Sequence, residues 1–152
     1  MPIDTGGWIE VSRLNDYELT EEYAWQALLN VAAYIDVADE VTKILFGYSK
    51  RILRGEYQVM AVAKDRGLPA NPSDQVKADI DQIHRLENEQ GKREFFGYTH
   101  IYFNEIKQIN WQQWKIADRD SDWFNLFSLL DKLLEDQRFQ ARKVRMVVWF
   151  NE

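Results

Sequence analysis

The chain contains no cysteine, which excludes disulfides, thiolate zinc sites and cysteine nucleophiles together. Histidine is almost as scarce. With His84 and His100 alone, few groups change charge near neutral pH without help from their surroundings. No uninterrupted apolar run approaches the roughly 20 residues that cross a bilayer. Met1 to Gly7 also lacks the basic and apolar regions of a secretory signal. Neither a phosphate-cradling glycine loop with lysine nor a serine elbow is present, so standard nucleotide and serine hydrolysis lose their usual signatures. These absences predict an intracellular protein with no membrane association and no cofactor.

What remains is enough to fold. A chain of 152 residues with 45% apolar and 14% aromatic content suits one domain spanning 1–152, with a packed interior. Six tryptophans, seven tyrosines and eight phenylalanines exceed the needs of a small core. Rings that carry N–H or O–H groups favour places where one end stays wet, so some are expected at a groove or interface. The net charge is −6, and residues 1–50 carry all of it, with nine acids against Arg13, Lys43 and Lys50. Such a field disfavours duplex nucleic acid, whose affinity comes from lysine and arginine neutralising phosphates. An acidic face suits a basic protein partner or phosphate mimicry, and ordinary solubility accounts for it equally well.

Periodicity predicts the elements. Trp8 to Leu14 alternates as a half-buried strand after Gly6-Gly7. Thr20 followed by Glu21 and Glu22 predicts a helix start. Trp25, Leu28, Leu29, Ala32 and Ile35 then recur at helical spacing, so a helix is expected from Thr20 through Ala33. Val41, Ile44 and Leu45 continue helically, after a break near Asp39, until Gly47. Tyr57 to Ala63 fits either a strand or a buried loop. Gly67 to Pro72 holds two of the three prolines and must be a rigid, non-helical connector. Ser73 caps a helix buried through Val76, Ile80, Ile83 and Leu86 and ending at Gly91. Phe95 to Ile101 is β-prone, and Asn104 to Ile109 forms a short helix docked by Ile106 and Ile109. Asp120 or Ser121 caps a helix whose stripe is Phe124, Phe127, Leu130 and Leu134, widened by Trp123, Leu126 and Leu133. Val144 to Phe150 is the central strand, covered on both faces. The expected class is α+β, with a mainly antiparallel or mixed sheet and the helices packed on one face.

Several segments carry a resemblance: Asp4-Thr5-Gly6-Gly7-Trp8-Ile9-Glu10-Val11, Leu45-Phe46-Gly47, Arg66-Gly67-Leu68-Pro69, Thr99 to Trp111, and Val144-Arg145-Met146-Val147-Val148-Trp149-Phe150-Asn151. Together they span most of the chain. They resemble an uncharacterised family of small proteins from bacteriophages, prophages and bacterial chromosomes. The resemblance implies a phage-like accessory role in a bacterial host cytoplasm and supplies no substrate. The family pattern has a histidine shortly after the N-terminal aspartate and a His-Ser-rich stretch before the strand and short helix. Here those places read Gly6 and Phe96-Gly97-Tyr98, so an enzymatic role resting on those histidines does not carry over.

The candidate site residues are correspondingly few. His84, between Ile83 and Arg85 on a helix, reads as a surface residue. His100, in Tyr98-Thr99-His100-Ile101-Tyr102, either contacts a ligand or bonds a backbone carbonyl. Asp36, Asp39 and Glu40 stand at spacings that put two carboxylates on one helical face, a pattern usually solvated, so no metal site is assigned. Tyr98, Tyr102, Trp111 and Trp114 with Arg66 and His100 form the ligand-binding set, because aromatic faces stack planar rings and arginine presents a fork of donors to phosphate. The competing reading has Trp111 and Trp114 closing the core and Arg66 donating to loop carbonyls. Three functions stay open. The first is a non-catalytic accessory binding protein, plausibly in counter-defence, that sequesters a nucleotide-like small molecule or masks a host protein. The second is a carboxylate-dependent hydrolase using Asp4, His100 and Glu105, with or without a metal. The third is a structural or assembly protein acting as a homo-oligomer.

Overall fold

The architecture is that of a computed structural model, which describes residues 4–12, 25–33, 40–48, 61–114, 122–135 and 143–151. Four strands, β1 (Asp4–Ser12), β2 (Trp25–Asn30), β3 (Phe95–Tyr102) and β4 (Val144–Asn151), form one sheet in the order β2-β1-β4-β3. Every pairing is antiparallel. Four helices accompany them among the described residues: α1 (Glu40–Phe46), α2 (Asp74–Gln90), α3 (Phe103–Lys107) and α4 (Asp122–Glu135). The α+β class and the central placement of the last strand are therefore as expected.

β4 dictates how the layers stack. All of its residues from Val144 to Phe150 are buried, so both faces of the sheet need cover. Val144, Met146, Val148 and Phe150 meet Val41, Leu45 and Phe46 of α1, Phe103 and Ile106 of α3, and Trp123, Leu126, Phe127 and Leu130 of α4. Val147 and Trp149 point the other way, onto Val76, Ile80 and Ile83 of α2. The helices thus divide between the faces instead of gathering on one, because a strand apolar at both parities cannot leave either side wet. Each fully buried aliphatic side chain on α2 contributes about 1.5–3 kcal/mol to holding it there. Leu86 was expected on that buried face and is 40% exposed. Within the first layer, the Trp123 indole N–H donates to Thr42 Oγ1 at 2.9 Å, joining α4 to α1.

The largest departure from the sequence reading is β2. Residues expected in a helix from Thr20 pair instead with β1, from Trp8↔Asn30 to Ser12↔Trp25. Ile9 faces Leu29 and Glu10 faces Ala27, so Leu28 is the extra residue of a β-bulge. Leu28 and Leu29 consequently both pack against the first core, and the two-residue period of a strand is lost from the sequence. Tertiary pairing overrides helix propensity here. Thr20 to Ala24, Arg13, Leu14, Ile35, Asp36, Asp39, Tyr57 to Met60, Asp120 and Ser121 lie outside the described residues, and with them the caps expected at Thr20 and at Asp120 or Ser121 and most of the Tyr57 segment. The rest of that segment forms no strand, and Ala63 is buried.

The other boundaries follow local chemistry. Gly47 at φ 77° ends α1. Ser73 caps α2 by accepting from the Val76 N–H, and Gly91 closes it in the left-handed conformation. Ile106 is buried and Ile109 half-buried, as the short-helix docking requires.

One ion pair ties the second layer together. Glu10 and Arg145 have side chains 0% and 1% exposed, and Arg145 Nε donates to Glu10 Oε1 at 2.6 Å. Arg145 also donates to Asn71 Oδ1 at 3.3 Å and to the Asn71 carbonyl at 2.9 Å. The other Glu10 oxygen accepts from the Ser73 N–H at 2.6 Å, and the Arg145 guanidinium lies 3.7 Å from the Trp25 ring centroid. Removing one partner strands a buried charge. Arg145→Ala is therefore expected to lower unfolding free energy by about 3–5 kcal/mol in urea titration, whereas Lys132→Ala, at an exposed pair with Glu135, should leave it nearly unchanged.

Candidate functional site

The Arg66 to Pro69 segment is built into the fold through the edge of β3. Val62 and Ala63 N–H groups donate to the Ile44 and Leu45 carbonyls at the end of α1 (3.0 and 2.8 Å), and Gly67 N–H donates to the Tyr98 carbonyl at 2.8 Å. Thr99 Oγ1 donates to the Ala63 carbonyl and accepts from the Arg66 N–H. Backbone groups that an edge strand would otherwise present are thereby covered.

Arg66 and His100 are consumed by this arrangement. Arg66 Nη1 lies 3.0 Å from both Glu105 oxygens, and Nη2 donates to the Val62 carbonyl at 3.0 Å. His100 Nδ1 lies 2.8 Å from the Gly67 carbonyl. A carbonyl only accepts, so Nδ1 carries the proton. Glu105 Oε2 also accepts from the Tyr102 N–H at 2.9 Å, holding the entry to α3. Of the two readings set out for Arg66 and His100, the bonds to loop carbonyls are the ones formed.

The remaining aromatic candidates do not share a cleft. Tyr98, His100 and Tyr102 follow strand alternation onto one face of β3, but Tyr98 opens toward the end of α2, whereas Tyr102 lies at the rim of a groove with Phe103, Leu134 and Lys143. Trp111 belongs to the other layer, against Phe124 and Phe127 with ring centroids 5.3 and 6.1 Å apart. α3 carries the chain across the end of the sheet, so residues close in sequence part company. Trp114 ends the 3₁₀ turn Trp111–Trp114, and its side chain lies outside the description.

Asp4, His100 and Glu105 do not converge either. Asp4 pairs with Asn151, itself paired with Phe95, at one end of the sheet. His100 sits opposite Val147, which faces Trp8, four residues and about 14 Å along β1 from Asp4. Glu105 follows beyond the opposite end of β3. Among the described residues no group of three acids or histidines is placed to hold a metal, and no helix is long and apolar enough to cross a membrane.

One cleft combines groups that bind planar anions. It encloses about 730 Å³ between the last turns of α2 and the start of β3, lined by His84, Glu87, Asn88, Lys92, Arg93, Phe95 and Tyr98, with Gly91 at the turn. A bulge creates it. Phe96 faces Phe150 and Thr99 faces Val148, leaving one extra residue between them, with Gly97 at φ 68°. Phe95 and Tyr98, three apart in sequence, therefore both reach the α2 side. Gly97 has no substitute, since an added Cβ would lie 2.7 Å from Tyr48 and 2.8 Å from Phe150.

The charges in this cleft are mostly spoken for. Glu87 Oε2 accepts from the Glu94 and Phe95 N–H groups at 3.0 and 3.3 Å. Lys92 Nζ is held by Glu94 at 2.6 Å. Arg93 is exposed and makes no ion pair among the described residues. Burial pushes the Tyr98 phenol up; the Glu87 carboxylate adds to the shift, and Arg93 opposes it. Sequence reasoning reached Tyr98 and missed Phe95 and Arg93. The visible trace was the basic pair Lys92-Arg93 between a helix-stopping glycine and Phe95-Phe96-Gly97-Tyr98.

Comparison with known proteins gives no match among family models, curated proteins or solved structures.

Two outcomes are expected. Arg66→Ala should cost about 1–2 kcal/mol of stability, the scale of a part-exposed pair with its accompanying hydrogen bonds. Tyr48 is also raised, by burial and then by the Asp65 carboxylate that accepts its O–H at 2.7 Å. Both phenols thus titrate above the ordinary 10.0. Their contribution is complete below that value and is lost as pH rises from it toward the folded-state values. Denaturation midpoints should hold steady below about pH 10 and fall as pH rises beyond it, less steeply in Tyr48→Phe.

Proposed function

We propose that the protein is a non-catalytic binding protein that sequesters a nucleotide-like small molecule in the cleft beside Tyr98. The observation that carries this reading is the meeting, in one opening of ligand-binding size, of two aromatic side chains, Phe95 and Tyr98, with the guanidinium of Arg93, which has no ion pair among the described residues. Aromatic faces take a planar base, and guanidinium takes phosphate by paired hydrogen bonds. Binding needs no more than this. Turnover would need an acid, base or nucleophile aimed at the ligand, and the strongest candidates, His100 and Glu105, are tied to the loop and to Arg66. The sequence resemblance favours a phage-type accessory role in a bacterial cytoplasm, with counter-defence by removal of a nucleotide-derived signal as its use.

Masking of a host protein and assembly through exposed rings are the competing outcomes of the same test. A thermal-shift screen of nucleosides and nucleotides should find a ligand that at a hundred times its dissociation constant stabilises by about 2.7 kcal/mol. Tyr98→Leu keeps bulk but removes the ring, and should abolish the shift while leaving the unliganded melting point within a few degrees. A screen without any shift, together with a concentration-dependent oligomer in ultracentrifugation, would replace binding with assembly.

A further inference from the structure

We infer that the ligand of the Tyr98 cleft carries a single phosphate, as a nucleoside monophosphate does, and that polyphosphates are disfavoured there. This rests on the binding reading above and adds the charge of what is bound. Three observations set that charge. Among the basic side chains lining the cleft, Lys92 is paired with Glu94 at 2.6 Å, which leaves Arg93 as the cation with no ion pair among the described residues. The Glu87 carboxylate lies within the lining, accepting from the backbone N–H groups of Glu94 and Phe95. The cleft also lies against the C-terminal end of α2, which stops at Gly91 and where the helix dipole places partial negative charge.

One guanidinium matches one phosphate through two parallel N–H···O bonds. A second and third phosphate would meet Glu87 and the helix end without a cation to offset them. His84 is exposed on α2 and lines the same cleft, so the ligand series is compared at one fixed pH. Phe95 and Tyr98 supply the apolar walls for the base, so the nucleoside half contributes affinity independent of charge.

Isothermal titration of the full chain in magnesium-free buffer at about pH 8, with adenosine, AMP and ATP and the corresponding guanosine, cytidine and uridine series, tests this. The expected order for the preferred base is monophosphate tighter than nucleoside by about tenfold or more, with the triphosphate no tighter than the monophosphate. Arg93→Ala, at an exposed position, should bring the monophosphate down to the nucleoside's affinity and leave the nucleoside unchanged. A triphosphate binding about tenfold tighter than the monophosphate, with loss in Tyr98→Leu, would overturn the single-phosphate inference and leave the binding reading intact. Absence of heat and of chemical-shift change at Tyr98 with every series would overturn both.

Discussion

The ion pair between Glu10 and Arg145 is the constraint from which the second layer of the fold is built. Two buried charges cost several kcal/mol each to remove from water, and their attraction repays this only when the remaining donors and acceptors are also satisfied. Here they are: Asn71 takes two donors of the guanidinium, Ser73 gives its N–H to the carboxylate, and the Trp25 ring covers the exposed flat side. The pair therefore joins three strands, the proline-bearing connector and the first turn of α2. Its role is placement more than net stability, since an apolar substitute could bury as well but could not specify where Asn71 and Ser73 must sit.

That placement has a distant consequence. Ser73 is the N-cap of a 17-residue helix, about 25 Å long at 1.5 Å per residue. Fixing its start fixes where its last turn lies over β3. Trp8 adds a second fastening, its indole N–H donating to Asp79 Oδ2 at 2.6 Å. Between them these contacts set the distance between Asn88 and Tyr98, and so the width of the cleft.

The sequence made most of this legible where a single local rule decides. Ser73 and Gly91 delimit α2, Gly47 ends α1, and the unbroken apolar run at Val144 announces a strand buried on both sides. Its failure at β2 is equally instructive. Leu28-Leu29 is compatible with a helix and with a bulged strand, and the choice is made by the unpaired edge of β1, more than ten residues away in sequence. The candidate site suffered from the same limit. Arg66, His100 and Glu105 look reactive as a list, but Arg66 and Glu105 pair with each other, and these three side chains also bond backbone groups that only the folded loop brings near.

The bulge at Gly97 shows how a site can arise where periodicity breaks. A regular strand would alternate Phe95 and Phe96 and send Tyr98 to the same side as Phe96, into the first core with Tyr48 and Phe150. One extra residue with φ 68° reverses that parity, so Phe96 stays in the core while Phe95 and Tyr98 open toward α2. A bulge costs a ladder hydrogen bond and a glycine's entropy. What it gains is two rings beside each other at the end of α2, packed against Val147 and Trp149, in the opening where Arg93 is left without an ion pair among the described residues.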